Sequence, residues 1–347
     1  MKTLSRIIIS RTDSLGDVML TLPLAGLCKQ LYPNCEVLFL GRTYTQNILS
    51  CCADIDRIIT LDELQQMPMY QQINAIQDLH ADVIIHVFPN KQIAKLAKAA
   101  AIPLRIGTSH RIFHWTTCNK RVNLSRKNSP LHEAQLNLAL AKPLGAKEHY
   151  TLEEIAELVH FQAKTINFTA KNLLDEQRFN LVLHPKSKGS AREWGTANFA
   201  RLIELLPADK FKIFITGTQT EGDVVRDVLI TPYPDKVTDL CGKLSLDELI
   251  AFLANANGIV AASTGPLHIA AILGIHAIGI YPPIRPMHAG RWSPIGKNVK
   301  IFTSVQECEK CRKSADCECM REIGAEMVVE YLNSIRDSIG DNKTKGS

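Results

Sequence analysis

The sequence predicts an α/β protein of two Rossmann-like, doubly wound domains facing each other across a cleft. Three observations carry that prediction. The chain has 347 residues, too many for one typical domain and enough for two of ordinary size. Short apolar runs alternate with helix-like segments, which is the signature of parallel sheets covered by crossover helices. That alternation occurs twice.

In the first half the strand-like runs are Arg6–Ser10, Glu36–Leu40, Arg57–Thr60 and Val83–Val87, with helical patterns over Val18–Leu31 and Met69–Leu79. The second half offers strands at Asn180–His184, Lys212–Thr216, Gly258–Ala261 and Ala277–Tyr281. Its helices are expected over Ala197–Leu206, Gly222–Leu229, Leu246–Asn255 and Pro266–Leu273. The division follows as residues 1–165 and 166–324, with the linker around Ala163–Arg178. A closing helix over 325–338 is expected to pack on one of the two, and a tail over 339–347 to carry no fixed structure.

Composition bounds the function. Hydrophobic residues make up 46% and charged residues 22%, an ordinary globular balance. No run is long enough to span a bilayer. The opening apolar patch is followed at once by Arg11, Asp13 and Asp17, so it reads as a buried strand and not as a signal peptide. A cytoplasmic location is the expectation, with the 10 cysteines mostly reduced. The net charge is +5, unevenly spread. From Val83 to His132 there is no Asp or Glu, while Lys91, Lys95, Lys98, Arg105, Arg111, Lys120, Arg121, Arg126 and Lys127 all fall there. Such a stretch attracts phosphates or an anionic surface, or is simply a solvated basic face. Aromatic residues are only 6% of the chain, too sparse for the stacking platforms of a nucleic-acid binder, so nucleic acid is not an expected partner.

The first chemistry lies in IIISRTDSLGDVMLTLPL, a strand, a turn at Ser14–Gly16 and a helix start. Ligands of open α/β sheets bind beyond the carboxyl ends of the strands, where this loop falls. Gly16 permits a backbone shape or a close approach that a side chain would hinder. Asp17 either caps the helix or serves as a general base, and spacing by itself favours the cap. Asp13 is a second carboxylate in the same turn.

Three strand–loop–helix units in the second half suit a nucleotide sugar. In ANGIVAASTGPLHIAAILG, Ser263, Thr264 and Gly265 precede a helix opened by Pro266, whose free backbone donors would receive a phosphate; His268 follows in the first turn. In LVLHPKSKGSAREWGTANFARLI, Lys186, Lys188 and Arg192 share a loop with Ser187, a set suited to a departing pyrophosphate, and Trp194 reads as its hydrophobic anchor. Glu221, at the next helix start, suits either ribose hydroxyls or the helix dipole. The chain lacks GxGxxG after its first strand, GxxxxGK[ST] and HExxH, which disfavours a dinucleotide fold, a P-loop enzyme and a zinc protease.

RTDSLGDVMLTLPL, HPKSKGSAREW, GTQTE and STGPLHIAAILGIHAIGIYPP, in that order over roughly Ser5 to Ile335, resemble the lipopolysaccharide heptosyltransferases of glycosyltransferase family 9. The resemblance implies a GT-B fold, an acceptor-binding first domain and a nucleotide-sugar-binding second domain. It further implies an inverting transfer of heptose from an ADP-sugar to a lipopolysaccharide core or lipid A acceptor. No cofactor is implied, and contact with the inner membrane surface is. The family's base matches Asp17. Its diphosphate-holding residue before the tryptophan matches Arg192, its ribose-binding acid matches Glu221, and its helix-start motif matches Thr264, Gly265 and His268. Gly16, Arg42, Arg105, Arg111, Lys120 and Arg121 are the candidates for acceptor contact. One position departs: the family carries Asp before Thr-Gly or Ser-Gly, and Ser263 stands there instead. That carboxylate helps hold the donor sugar, so the sugar's identity is left open.

Two other classes fit the same architecture. One is a nucleotide-sugar 2-epimerase, which needs no lipid acceptor; the other is a binding protein for nucleotide sugars or glycolipids that has lost transfer. Cys308, Cys311, Cys317 and Cys319 form CxxC-x5-CxC, a partial match to a structural zinc site whose usual form has two CxxC pairs and a longer gap. The expectation is no metal, with reduced thiols on a loop.

Overall fold

A computed structural model describes residues 4–127, 129–304 and 318–344. The chain divides into two compact units, Met1–Gln162 and Ala163–Ser347.

The first unit is built on six parallel strands: β1 (Arg6–Ser10), β2 (Glu36–Gly41), β3 (Arg57–Thr60), β4 (Val83–His86), β5 (Leu104–Thr108) and β6 (Lys120–Val122). Their order is β3-β2-β1-β4-β5-β6. The second has β7 (Phe179–His184), β8 (Phe211–Ile215), β9 (Val237–Asp239), β10 (Gly258–Ala262), β11 (His276–Tyr281) and β12 (Val299–Thr303), ordered β12-β11-β10-β7-β8-β9. Both are the doubly wound arrangement, with chain direction reversing beside the first strand: between β1 and β4, and between β7 and β10. The central strands are covered on both faces, so Ile7, Ile8, Ile9, Leu181, Val182 and Leu183 are fully buried.

Four strands went unread in the sequence. β6 and β9 have three residues each, and β12 alternates its burial at a sheet edge. β5 carries Arg105 and Gly107 within five residues. None is the continuous apolar run that a buried strand displays. The helix expected over Val18–Leu31 is two helices, Leu15–Met19 and Leu22–Leu31. Pro23 lies in the first turn of the second; lacking an N–H and crowding the preceding turn, it sets the break at Leu20–Thr21.

The last helix runs over Ala325–Thr344, past the expected end, so residues 339–344 are helical and not an unstructured tail. It belongs to the second unit. Ala325, Val328, Leu332 and Ile335 join that unit's core, and Arg201 Nε donates to Glu326 Oε1 at 3.0 Å. No helix among the described residues is long and apolar enough to cross a membrane.

Candidate functional site

In the first unit, the loop leaving the carboxyl end of β1 places Arg11 at the reversal beside β4. Arg11 is 3% exposed, and its guanidinium is fully engaged by side chains. Nε donates to Asp13 Oδ1 at 2.6 Å and Nη2 to Asp13 Oδ2 at 2.9 Å; Nη2 also donates to Asp17 Oδ1. Nη1 donates to Glu133 Oε1 at 3.1 Å and to Asn137 Oδ1 at 3.2 Å. A second cation backs the group: Arg126 Nε donates to Glu133 Oε1 at 2.8 Å and Nη2 to Asn137 Oδ1 at 2.9 Å. Asn137 then donates to Leu20 O at 2.9 Å and Thr21 Oγ1 at 3.2 Å, tying the network to the helix break.

Local sequence explains why Glu133 and Asn137 reach this point. The helix Glu133–Ala139 begins with a capping box, His132 at the cap and Gln135 bonding back to it. Residues four apart share a helix face, so Glu133 and Asn137 meet the two arginines together. Burial works against the Arg11 charge, but Asp17, Asp13 and Glu133 outweigh it and hold the guanidinium above its ordinary range. Burial also pushes the Asp13 carboxyl up, opposed by Arg11 and reinforced by the negative charge of Asp17.

Asp17 is not a helix cap. Ser14 occupies the cap position without a side-chain cap bond, and its hydroxyl donates to Asp17 Oδ2. Gly16 is not in the left-handed region; it lies inside the first helical turn, so of the two roles expected for it only close approach is left. Asp17 and Asp13 are thus both held by one buried cation, Asp13 through both oxygens and Asp17 through one.

The acceptor candidates fall in different places. Arg42 pairs with Asp62 at 2.8 Å. Arg105 stands apart near the amino-terminal end of β5, where it donates to the backbone carbonyls of Thr117, at 2.8 Å, and Ile102. Arg111, Lys120 and Arg121 are exposed, around the helix Ile112–Thr117.

In the second unit, three loops leave the carboxyl ends of the adjacent strands β10, β7 and β8. After β7, Lys188 at φ 49° and Gly189 at φ 78° turn in the left-handed region, a costly conformation for a lysine. Ser187 anchors this turn, its hydroxyl donating to Ala191 O at 3.1 Å. Lys186 pairs with Glu193, so its charge is engaged within the loop; Lys188 is exposed and Arg192 half-buried. Trp194 is the anchor expected: it is fully buried, and its indole N–H donates to Ile323 O at 2.8 Å.

Glu221 is part of a capping box. Thr218 N donates to its Oε2 at 2.8 Å and Thr218 Oγ1 at 2.9 Å, which holds the carboxylate at the start of the helix Gln219–Val225. After β10, Thr264 caps the helix Gly265–Ile272 with no side-chain bond, although it is 5% exposed and its hydroxyl has no hydrogen-bond partner among the described residues. Pro266 sits in the first turn as expected, and His268 is buried there. A buried unpaired hydroxyl beside free helix N–H groups is a receptor for an anionic oxygen. Ser263 interacts with the Tyr281 hydroxyl.

Cys308, Cys311 and Cys317 lie outside the described residues, and Cys319 is buried. Sequence reasoning missed Arg11, Glu133 and Asn137. Arg11 stood inside the quoted motif without a role, and no local pattern signals a partner more than a hundred positions away.

Known proteins resemble this chain in sequence and in fold. Lipooligosaccharide heptosyltransferase 2 of Haemophilus influenzae is 23% identical, covering 95% of this chain and 99% of its own length. A family 9 glycosyl transferase from Veillonella parvula has the same fold, with a TM-score of 0.78 at 19% identity over 97% of this chain and 99% of that one. The E. coli ADP-heptose lps heptosyltransferase II gives 0.76 at 17% identity over 97% and 100%. Residues 69–320 match the family model for Glycosyltransferase family 9 (heptosyltransferase), and with most of its length inside that match the chain belongs to this family of glycosyltransferases.

Proposed function

We propose that this enzyme transfers a heptose from ADP-heptose to a lipopolysaccharide-type acceptor, inverting the anomeric centre, at the cytoplasmic face of a membrane. The observation that carries the reading is the Asp17 carboxylate fixed on buried Arg11 beyond the carboxyl end of β1. The acceptor hydroxyl loses its proton to Asp17 as its oxygen forms a bond to the anomeric carbon, and the bond from that carbon to the diphosphate breaks. Negative charge then grows on the leaving ADP. Lys188, Arg192 and the helix start at Thr264–Gly265 receive it, with Glu221 serving the ribose. Phosphates of the acceptor face Arg111, Lys120 and Arg121. No covalent intermediate and no metal is required. The names of the relatives support the donor and acceptor: one acts on lipooligosaccharide, and another is an ADP-heptose enzyme.

The test is a transfer assay pairing a panel of nucleotide sugars with truncated lipopolysaccharides. ADP-heptose should be consumed only when acceptor is present. Asp17→Asn should lower kcat by about 10²–10⁴-fold. Near-normal transfer by that variant removes the base assignment, and conversion of the donor without acceptor indicates an epimerase.

A further inference from the structure

Two exposed aromatic residues flank the loop that carries Asp17, one from each strand beside β1. Tyr44 follows β2 and is 51% exposed; Phe88 follows β4 and is 36% exposed. Both are tied to the end of β1 and its loop. The Tyr44 phenol donates to Asp13 O, and Phe88 N donates to Ser10 O at 3.2 Å. The turn that presents Tyr44 is pinned. Asp62 accepts from Thr43 N at 2.7 Å, from Thr43 Oγ1 at 3.1 Å and from Arg42 Nη2 at 2.8 Å. The buried Thr45 hydroxyl donates to Arg42 O at 2.7 Å and accepts from Arg42 N at 3.2 Å, closing the turn from within. Burial and then the negative charge of Asp13, opposed by Arg42 and helped by Asp17 and Asp62, push the phenol up. The hydroxyl therefore keeps its proton and its hold on the loop. The one polar atom of the side chain is spent there, and the residue stays half open to solvent beside Asp17.

We propose that the Tyr44 ring is a stacking platform for the acceptor's own sugar ring, on which a C–H face of a pyranose lies while a hydroxyl at its edge meets Asp17. Resting on the proposed transfer, this role commits the acceptor to a sugar whose ring has an open C–H face. Sugar C–H groups beside oxygen carry partial positive charge, and the face of an aromatic ring is negative. The surroundings select such a ligand. Asp13 and Asp17 repel a phosphate from this spot but accept strongly from hydroxyls. An acyl chain placed here would take those polar groups from water and give them no partner. A neutral polyol with one apolar face satisfies both the ring and the carboxylates. Seated over β1, it would meet an aromatic residue on either side.

The experiment is a ligand-observed NMR titration of the full chain, without donor. The probe is a deacylated, dephosphorylated lipopolysaccharide core oligosaccharide that lacks heptose. Removing lipid and phosphate lets the ring contact be read apart from the basic stretch. The wild type should bind. Tyr44→Leu should raise Kd about tenfold, while Tyr44→Phe and Tyr44→Trp, which keep an aromatic face, should change it by less than about threefold. In steady-state transfer, acceptor KM should follow the same order with donor KM unmoved. Recovery of affinity in Tyr44→Trp separates stacking from any loss of folding in Tyr44→Leu. Three outcomes overturn the proposal: no binding by the wild type, wild-type affinity in Tyr44→Leu, or Phe and Trp variants that lose as much as Leu. The last would make Tyr44 a brace for the loop. The expected order of affinities with no transfer from any nucleotide sugar would uphold the platform and count against the proposed function instead.

Discussion

Arg11 is the side chain around which the first unit's buried ion-pair network is built. It is buried among Asp13, Asp17 and Glu133, with Arg126 behind it, so two cations face three carboxylates. Removing a buried charge leaves its partners uncompensated, which costs far more than the pair's net worth. Arg11→Met is therefore expected to destabilise the protein by about 3–5 kcal/mol in urea denaturation. Adding Asp13→Asn, which deletes the carboxylate that Arg11 held through both oxygens, should return part of that loss. Strictly additive effects would mean that the network is not coupled. His86 gives a second test at this scale. It is 1% exposed, neither ring nitrogen has a hydrogen-bond partner among the described residues, and its ring lies 5.6 Å from that of His114. Burial, then the charges of His114 and Arg105, pushes it from 6.5 down to about 3, and burial lowers His114 as well. Between those limits the unfolded chain takes up a proton that the folded chain refuses. This contribution to stability is thus present above about pH 6.5 and is lost as pH falls, at up to about 1.4 kcal/mol per pH unit. His86→Gln should flatten the acid side of a stability-versus-pH curve in part, leaving the share of His114. An unchanged curve would assign acid sensitivity elsewhere.

At the scale of elements, the start of the helix Gly265–Ile272 allows the proposed role of Thr264 to be told from a structural one. The buried Thr264 hydroxyl has no hydrogen-bond partner among the described residues. Thr264→Val keeps the shape and removes an unsatisfied polar atom, so stability should hold or rise by about 1 kcal/mol. If the hydroxyl meets the donor phosphate, donor KM should rise by about tenfold or more in steady-state kinetics, and an unchanged KM would remove Thr264 from the donor site. The same contrast shows what was legible in the sequence. Strand–loop–helix units were readable because a buried parallel strand is a continuous apolar run and the helix after it opens with Gly, Pro or small polar residues. β1, β3, β7 and β10 were therefore placed to within a residue or so. β6 and β9 were not, because a three-residue edge strand is defined by its neighbour and not by its own residues. Among site residues, the turn chemistry around Asp17 and Thr264 was visible. What each side chain bonds to was not: the pairing of Lys186 with Glu193, and the hold of Arg11 and Ser14 on Asp17, for which spacing alone favoured a cap, come only from the structure.

At the scale of the whole molecule, two sheets of identical strand order carry opposite loads beyond their strands: carboxylates on Arg11 in the first unit, and Lys188, Arg192 and a helix start in the second. Shared strand order does not dictate shared chemistry, since function resides in the loops that the order positions. Binding to the folded state alone raises stability by an amount set by ligand concentration over Kd, about 2.7 kcal/mol at a hundredfold excess. For a unit the size of Ala163–Ser347, that corresponds to a rise in melting temperature of about 5–10 °C. ADP without any sugar should produce this shift in the full chain, because the diphosphate and ribose groups are all met by second-unit residues in the proposed site. Inorganic phosphate at the same concentration should give much less. Lys188→Gln with Arg192→Gln should lose most of the ADP-dependent rise, measured from the double variant's own unliganded melting temperature. A full ADP shift in that double variant would place the diphosphate away from the β7 loop, and no ADP shift in the wild type would remove the adenine nucleotide from the donor assignment altogether.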